Sequence, residues 1–303
     1  MMAYITTFTN NLLPILLLGG AGFALGRILS IDSRSFGRVI FNILSPALIF
    51  NLITKNQLPL DKIGVMAGYS VLVFLLVGGI AYLVARLFRF ERSVLTAVIL
   101  TSLLANNGNF GLPLIAFAFG EKALAYATIY FVVSAIIIYT LGVFIASLGH
   151  LEMKTALLGL LKVPAIYAIL IAMVFIRMGW TMPGPLQRAI GLASDGAIPA
   201  MLVLLGLELT HFQWNRNIAA MGLPVIIRLV ISPLVGLGAA NALGLNGISR
   251  QVGVTQSGMP SAVLATVLAE EYKLDSSLIT AIVFITTLLS PFTLTPLIVF
   301  FNK

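Results

Sequence analysis

Residues 101–119 read TSLLANNGNFGLPLIAFAF, an apolar run that breaks into Asn106-Asn107-Gly108-Asn109-Phe110-Gly111-Leu112-Pro113 and then resumes. No helix crosses that octet unperturbed. Three Asn and two Gly are poor helix formers, and Pro113 lacks an N–H and disfavours helix at Leu112. Inside a segment of membrane length, such a break leaves backbone polar groups without partners in lipid. It is tolerated only where protein or a water-filled cavity supplies them. Discontinuous helices of this kind point to the binding sites of transporters.

The run is membrane material because the whole chain is. Hydrophobic residues make up 59% of its 303 positions and charged residues 9%, with a mean hydropathy of +1.06. A soluble domain carries ~25% charged residues, so too little charge is present to solvate a globular surface. The net charge of +8 is assigned to short basic loops that orient the chain in the bilayer, and nucleic acid is not an expected partner. With no cysteine, disulfides, thiol catalysis and iron–sulfur chemistry are excluded. The N-terminus lacks a basic n-region and a small-residue cleavage site, so residues 12–29 read as a retained span rather than a signal peptide.

A span needs ~20 apolar residues, which predicts ten, at 12–30, 35–54, 62–87, 93–119, 122–148, 155–178, 190–210, 217–244, 248–270 and 274–301. The odd-numbered links hold ten Lys and Arg and the even ones seven, and the first two odd links hold six of them. The positive-inside rule then places both termini outside.

The chain repeats itself. Ser45-Pro46-Ala47-Leu48 in the second span is echoed 153 residues later by Ile198-Pro199-Ala200-Met201 in the seventh. The break in the fourth is echoed in the ninth by Gln256-Ser257-Gly258-Met259-Pro260, and acidic links, Glu121 and Glu270-Glu271, follow both. Residues 1–150 and 151–303 therefore read as two five-helix repeats. An odd number of spans inverts the second copy in the membrane. The predicted fold is all-α and integral to the membrane: ten transmembrane helices in two inverted five-helix repeats, with discontinuous helices 4 and 9 crossing near the midplane.

Each break exposes N–H groups at the start of its outgoing half-helix, expected after Leu112 and after Met259, and two such positive ends favour an anion. Asn106, Asn107 and Asn109 add amides from one break; Thr255, Gln256 and Ser257 add polar groups from the other. The expected ligand is a small organic carboxylate.

Arg228, deep in the eighth span, has two readings: contact with that carboxylate, or an ion pair with Asp195 or snorkelling to an interface. Asp195, near the expected start of the seventh span, reads either as a proton-carrying group, which would make protons the coupling ion, or as a helix cap. Glu208, at the other end of that span, reads as interfacial. Tyr126, Tyr130 and Tyr139 read as cavity-lining or as core. The only histidines, His150 and His211, stand at no metal-ligand spacing, so no metal site is indicated, and no cofactor is expected. No P-loop and no nucleophile–base set is present, which argues against ATP-driven transport and against an enzyme.

Asn107-Gly108-Asn109-Phe110-Gly111-Leu112-Pro113-Leu114 resembles the broken fourth span of the auxin efflux carrier family, which includes bacterial malonate- and malate-type permeases and the plant auxin exporters. The run Ile198 to Leu207 is similar to that family's Pro-x-x-x-x-x-x-Gly seventh span, and Gln256 to Val263 to its second crossover. The resemblance implies a crossover-centred site for an organic anion at Asn106, Asn107, Gly108, Pro113, Gln256, Gly258 and Pro260. It also implies elevator-type alternation of a crossover domain against a scaffold domain, a homodimer, and a cell (inner or plasma) membrane location. Only residues Gly149 to Lys154 separate the fifth and sixth spans, so the long regulatory loop of the plant members is missing. Sodium–bile acid symporters have a similar ten-helix plan, and a sodium-coupled symporter of that type is the alternative. A sensor with a transporter's fold is the other.

Overall fold

The computed structural model describes residues 2–29, 31–56, 58–147, 161 and 163–302. His150, the interval from Gly149 to Lys154, the proposed boundary at 150/151 and the first part of the sixth span lie outside the described residues.

Among the described residues all regular structure is helical. Seven helices are long and apolar enough to cross a bilayer: α1 (Met2–Leu29), α2 (Ser33–Asn56), α3 (Leu60–Leu87), α6 (Glu121–Ala146), α8 (Gly184–Leu209), α9 (Ile218–Ala242) and α12 (Ser276–Phe301). Between them stand α4 (Arg92–Leu103), α5 (Gly111–Phe119), α7 (Pro164–Met178), α10 (Gly247–Ser257) and α11 (Leu264–Glu271). The chain is thus a multi-pass helical membrane protein. Helix starts follow local chemistry: Asp32 caps α2 by accepting from the N–H groups of Arg34 and Ser35 at 3.1 and 3.2 Å, and Pro164 opens α7, where its missing N–H has no cost. Outside the span, the hydrogen bond of the Ser35 side chain first, and the Arg34 N–H next, hold the Asp32 carboxyl below the usual carboxylate range.

Two helices start several residues earlier than expected, the first at Met2 and α8 at Gly184 rather than at residue 190. The first helix begins at Met2 rather than Leu12, because Phe8–Leu12 continues it through a π-helical turn. Similar turns interrupt α2 at Ile40–Leu44, α6 at Ile138–Gly142 and α9 at Ile227–Ile231. Such turns collect at functional sites.

Two bundles result. Helices α1, α2, α7 and α8 pack mainly against one another, and α3–α6 with α9–α12 form a second body. Small residues set the first bundle. A Cβ on Gly22 would strike the Val203 carbonyl, and one on Gly206 would strike Gly19 O, so α1 and α8 touch backbone to backbone. Close contact of that kind supplies dispersion where lipid offers no hydrophobic drive. Exposed ion pairs join the bundles at opposite ends of α2: Arg34 with Glu270, and Lys55 with Glu121 at 2.7 Å.

Candidate substrate site at the crossing of two broken helices

Helix α4 ends at Leu103, and Leu104 turns extended (φ −84°, ψ 109°). Ala105 then pairs antiparallel with Ser261. The Asn106 N–H donates to Pro260 O and the Ala262 N–H to Leu104 O, both at 2.8 Å. One rung of sheet thus satisfies backbone groups that the two breaks set free, in a region where water is scarce. The outgoing helices start at Gly111 and Leu264, not after Leu112 and Met259. Pro113 therefore lies in the first turn of α5. It opens a helix instead of breaking one, since no intrahelical bond is asked of its nitrogen.

Arg228 sits in the π turn of α9 and is 2% exposed. Its Nε donates to Met259 O at 3.1 Å. Nη1 donates to Ser102 O at 3.3 Å and Ser232 Oγ at 3.2 Å, and Nη2 to Ser257 O at 2.9 Å and Met259 O at 2.8 Å. Guanidinium has five N–H donors, and all five are spent on protein. Three of the partners are carbonyls at the C-terminal ends of α4 and α10, where a helix carries partial negative charge. This corrects both earlier readings of Arg228: it neither pairs with Asp195 nor has a donor left for a substrate in this conformation. It pins the crossing.

Asn107 and Gln256 pin it again. Asn107 Nδ2 donates to Gln256 O and Oε1, each at 2.8 Å, and Gln256 Nε2 reaches back to Asn107 O at 3.4 Å. Ser257 Oγ is turned onto Val254 O at 2.7 Å, Thr255 is fully buried, and Gly258 N bonds back into α10. Pro260 contributes its carbonyl to the rung. These positions stand behind the ligand-accessible surface, not on it.

That surface is a cavity of about 140 Å³ where the bundles meet. Asn42 and Ser45 of α2, Pro164 of α7 and Glu208 of α8 line one wall. Asn106, Gly108 and Asn109 of the first break face them, with Ser134 and Tyr139 of α6 and Val263 beside α11. Of the expected site residues, Asn106, Gly108 and Asn109 reach it. Among the described residues Asn106 Nδ2, Asn109 Oδ1 and Ser45 Oγ have no hydrogen-bond partner, although Asn106 and Asn109 are each only 5% exposed. Buried polar atoms are rarely left unpaired, so these three are the groups a ligand would satisfy. A larger opening of about 630 Å³ lies within the first bundle near Lys55 and Trp180. It is remote from the crossing and lacks these atoms.

Glu208 was not expected here. It lines the cavity and accepts from Asn109 Nδ2 at 3.3 Å, so it is not a free interfacial group. The Gly206 contact with α1 sets the depth of that end of α8, a packing effect that span-counting does not register. Asp195 lies in mid-helix, eleven residues after the start of α8 at Gly184, so it caps nothing. It is exposed and does not line the cavity. Tyr139 lines the cavity, whereas Tyr130 packs between Tyr69 and Phe74 in the core.

Comparison with known proteins supplies the family. An uncharacterized transporter of Methanothermobacter thermautotrophicus is 29% identical over 282 residues, covering 92% of this chain and 93% of its own. A Rhizobium meliloti protein named as a candidate malonate transporter is 26% identical over 310 residues, 96% of this chain and 94% of its own. Auxin efflux carrier component 8 of Arabidopsis thaliana is 28% identical over 131 residues, 40% of this chain and 35% of its own. The family described as membrane transport protein matches residues 7–155 and 148–298. Nearly the whole chain is covered, and it belongs to that family of membrane transporters, the auxin efflux carrier family.

Proposed function

We propose that the chain is a secondary transporter of small organic carboxylates, and that it works by moving the crossover bundle against the α1–α2–α7–α8 scaffold. The observation that carries this is the cavity between the bundles, with buried, unpartnered Asn106 Nδ2 facing it beside the N-terminal ends of α5 and α11. An amide donor and two positive helix ends form a site for an anion. At about 140 Å³ the space is well under the ~300–1,000 Å³ of pockets that take drug-sized ligands, which favours a carboxylate of few atoms. The relative named for malonate fits that size class. Ten spans, with α4–α5 and α10–α11 counted as one each, fit the inverted-repeat plan, with both termini on the less basic side of a cell membrane. A homodimer and a site complete in each chain are part of the same reading.

Counterflow tests it. Proteoliposomes loaded with malonate should take up labelled malonate saturably. Asn106→Ala should lower apparent affinity about tenfold to a hundredfold, the worth of a hydrogen bond to a charged group, with an unchanged unfolding temperature because that donor has no protein partner. Stabilisation by carboxylates without counterflow would make the protein a sensor and sink transport. An unchanged Asn106→Ala would move the site elsewhere.

A further inference from the structure

Among the described residues the cavity is lined by an acid and by no Lys, Arg or His, and its titratable members are Glu208 and Tyr139; His211, one turn beyond Glu208, is exposed and does not line it. Around the other side of Glu208 stand Phe212, Val263, Thr266, Thr280, Val283 and Phe284, none of them charged. Glu208 makes no ion pair among the described residues. Arg228 faces the carbonyls of both breaks, with every donor engaged, and the nearest cation on α2, Arg38, is exposed one turn away from Asn42. A carboxylate entering this space meets a carboxyl, and among the described residues no cationic side chain lines the space to balance two negative charges. Two such groups in one small site share a proton.

We propose that Glu208 is the proton-carrying group of the site: when neutral it donates its O–H to a carboxylate oxygen of the substrate, so one proton and one substrate occupy the cavity together. The inference rests on the carboxylate reading above. The proton enters from solution onto Glu208 as the ligand arrives and leaves with it, so charge and atoms balance without any further group. Asn109 Nδ2, already on Glu208 Oε2 at 3.3 Å, holds the carboxyl toward the first break. Because Glu208 stands on the scaffold and Asn109 on the crossover bundle, protonation and the contact between the two bodies are set at one place.

Calorimetric titration of the purified full chain with malonate, at about pH 7 and about pH 8.5 in buffers of different ionisation enthalpy, reads affinity and proton count together. Wild-type protein should take up about one proton per malonate at the higher pH, with affinity falling about tenfold for each pH unit once Glu208 is charged in the free site. Glu208→Gln should bind malonate with no proton uptake and with affinity independent of pH. Glu208→Asp, which keeps a titrating group, should retain uptake, and it decides the matter should the Gln variant not fold. Malonate binding by wild type without a proton, or a Glu208→Gln variant that keeps the wild-type pH slope, overturns the proton role and leaves the carboxylate reading standing. Absence of heat and of thermal stabilisation by malonate and by a panel of mono- and dicarboxylates, in every form at both pH values, overturns the carboxylate reading and this inference with it.

Discussion

The two helix breaks match in sequence position and meet at a single backbone rung, but they are satisfied to very different degrees. In the second break, Ser257 O accepts from Arg228 and Ser232, Met259 O accepts twice from Arg228, the Ser261 N–H donates to Thr286 Oγ1 at 3.1 Å, and Ser261 Oγ donates to Thr101 O at 2.8 Å. In the first break, Asn106 Nδ2, Asn107 Oδ1 and Asn109 Oδ1 are buried without partners, against Thr255 Oγ1 alone in the second. An inverted repeat gives both halves a broken helix; it does not give both the same task. The second break anchors the crossing, and the first presents unsatisfied groups to the cavity. Strain and unmet hydrogen-bonding potential gather where a ligand can relieve them.

The sharpest way to break this contrast is to remove the anchor. Arg228→Met orphans the carbonyls of Ser102 and Met259, each costing ~1–3 kcal/mol when buried without a donor, and leaves Ser257 O with Ser232 Oγ alone. Relief of the guanidinium's own desolvation offsets part of that. A net loss of several kcal/mol is expected, read as a large fall in the thermal unfolding midpoint in detergent, with Arg228→Lys intermediate because ammonium keeps the charge but has three donors. A substrate contact would behave otherwise: the midpoint would hold and only malonate affinity would fall.

Matched glycine substitutions give the next effect. A Cβ on Gly111 would collide with Gln256 Oε1, and on Gly258 it would sit 3.3 Å from Pro233 Cβ with φ at an ordinary −87°. Gly111→Ala must displace Gln256 and so loosen the Asn107 brace, with an overpacking cost of ~1–3 kcal/mol. Gly258→Ala asks a neighbouring side chain to give by a few tenths of an ångström, so its cost is expected to be the smaller of the two. Chemical or thermal unfolding of the pair ranks them, and a reversed order would mean that the second break is the more tightly fitted one.

Much of this was legible in the residues. The apolar spans, the two breaks and their pairing followed from composition, Gly/Pro chemistry and the repeat, because these act within one helix or between copies of one pattern. The exact turns did not follow: Pro113 announces a helix start as readily as a helix stop, and only the Asn106–Pro260 rung decides which. Side-chain direction was the larger loss. Asn106 and Asn107 are neighbours of one type, yet one faces the cavity and the other Gln256, since an irregular backbone has no period from which to read a face. Arg228 read as a substrate ligand or as a structural charge, because charge in a membrane helix marks function; the four carbonyl and hydroxyl oxygens that hold it come from three separate segments. Glu208 carried the same signal at the end of a span, where it was discounted by position. The rule that an intramembrane acid is a site by default would have kept it.

The smallest expected effect falls on Asp195, and it separates charge in the membrane from charge at the crossing. Asp195 and Glu208 share α8, thirteen residues apart. Asp195 is exposed and close enough to Lys55 for the two charges to interact, whereas Glu208 faces the first break. Exposed charge pairs contribute ~0–1 kcal/mol, so Asp195→Asn should leave the unfolding midpoint nearly unchanged. Since Asp195 lines no part of the cavity, the pH dependence of malonate binding should be that of the wild type as well. A lost pH dependence in Asp195→Asn, with folding intact, would return the proton to Asp195 and place the coupling step on the scaffold, away from the contact between Glu208 and the first break.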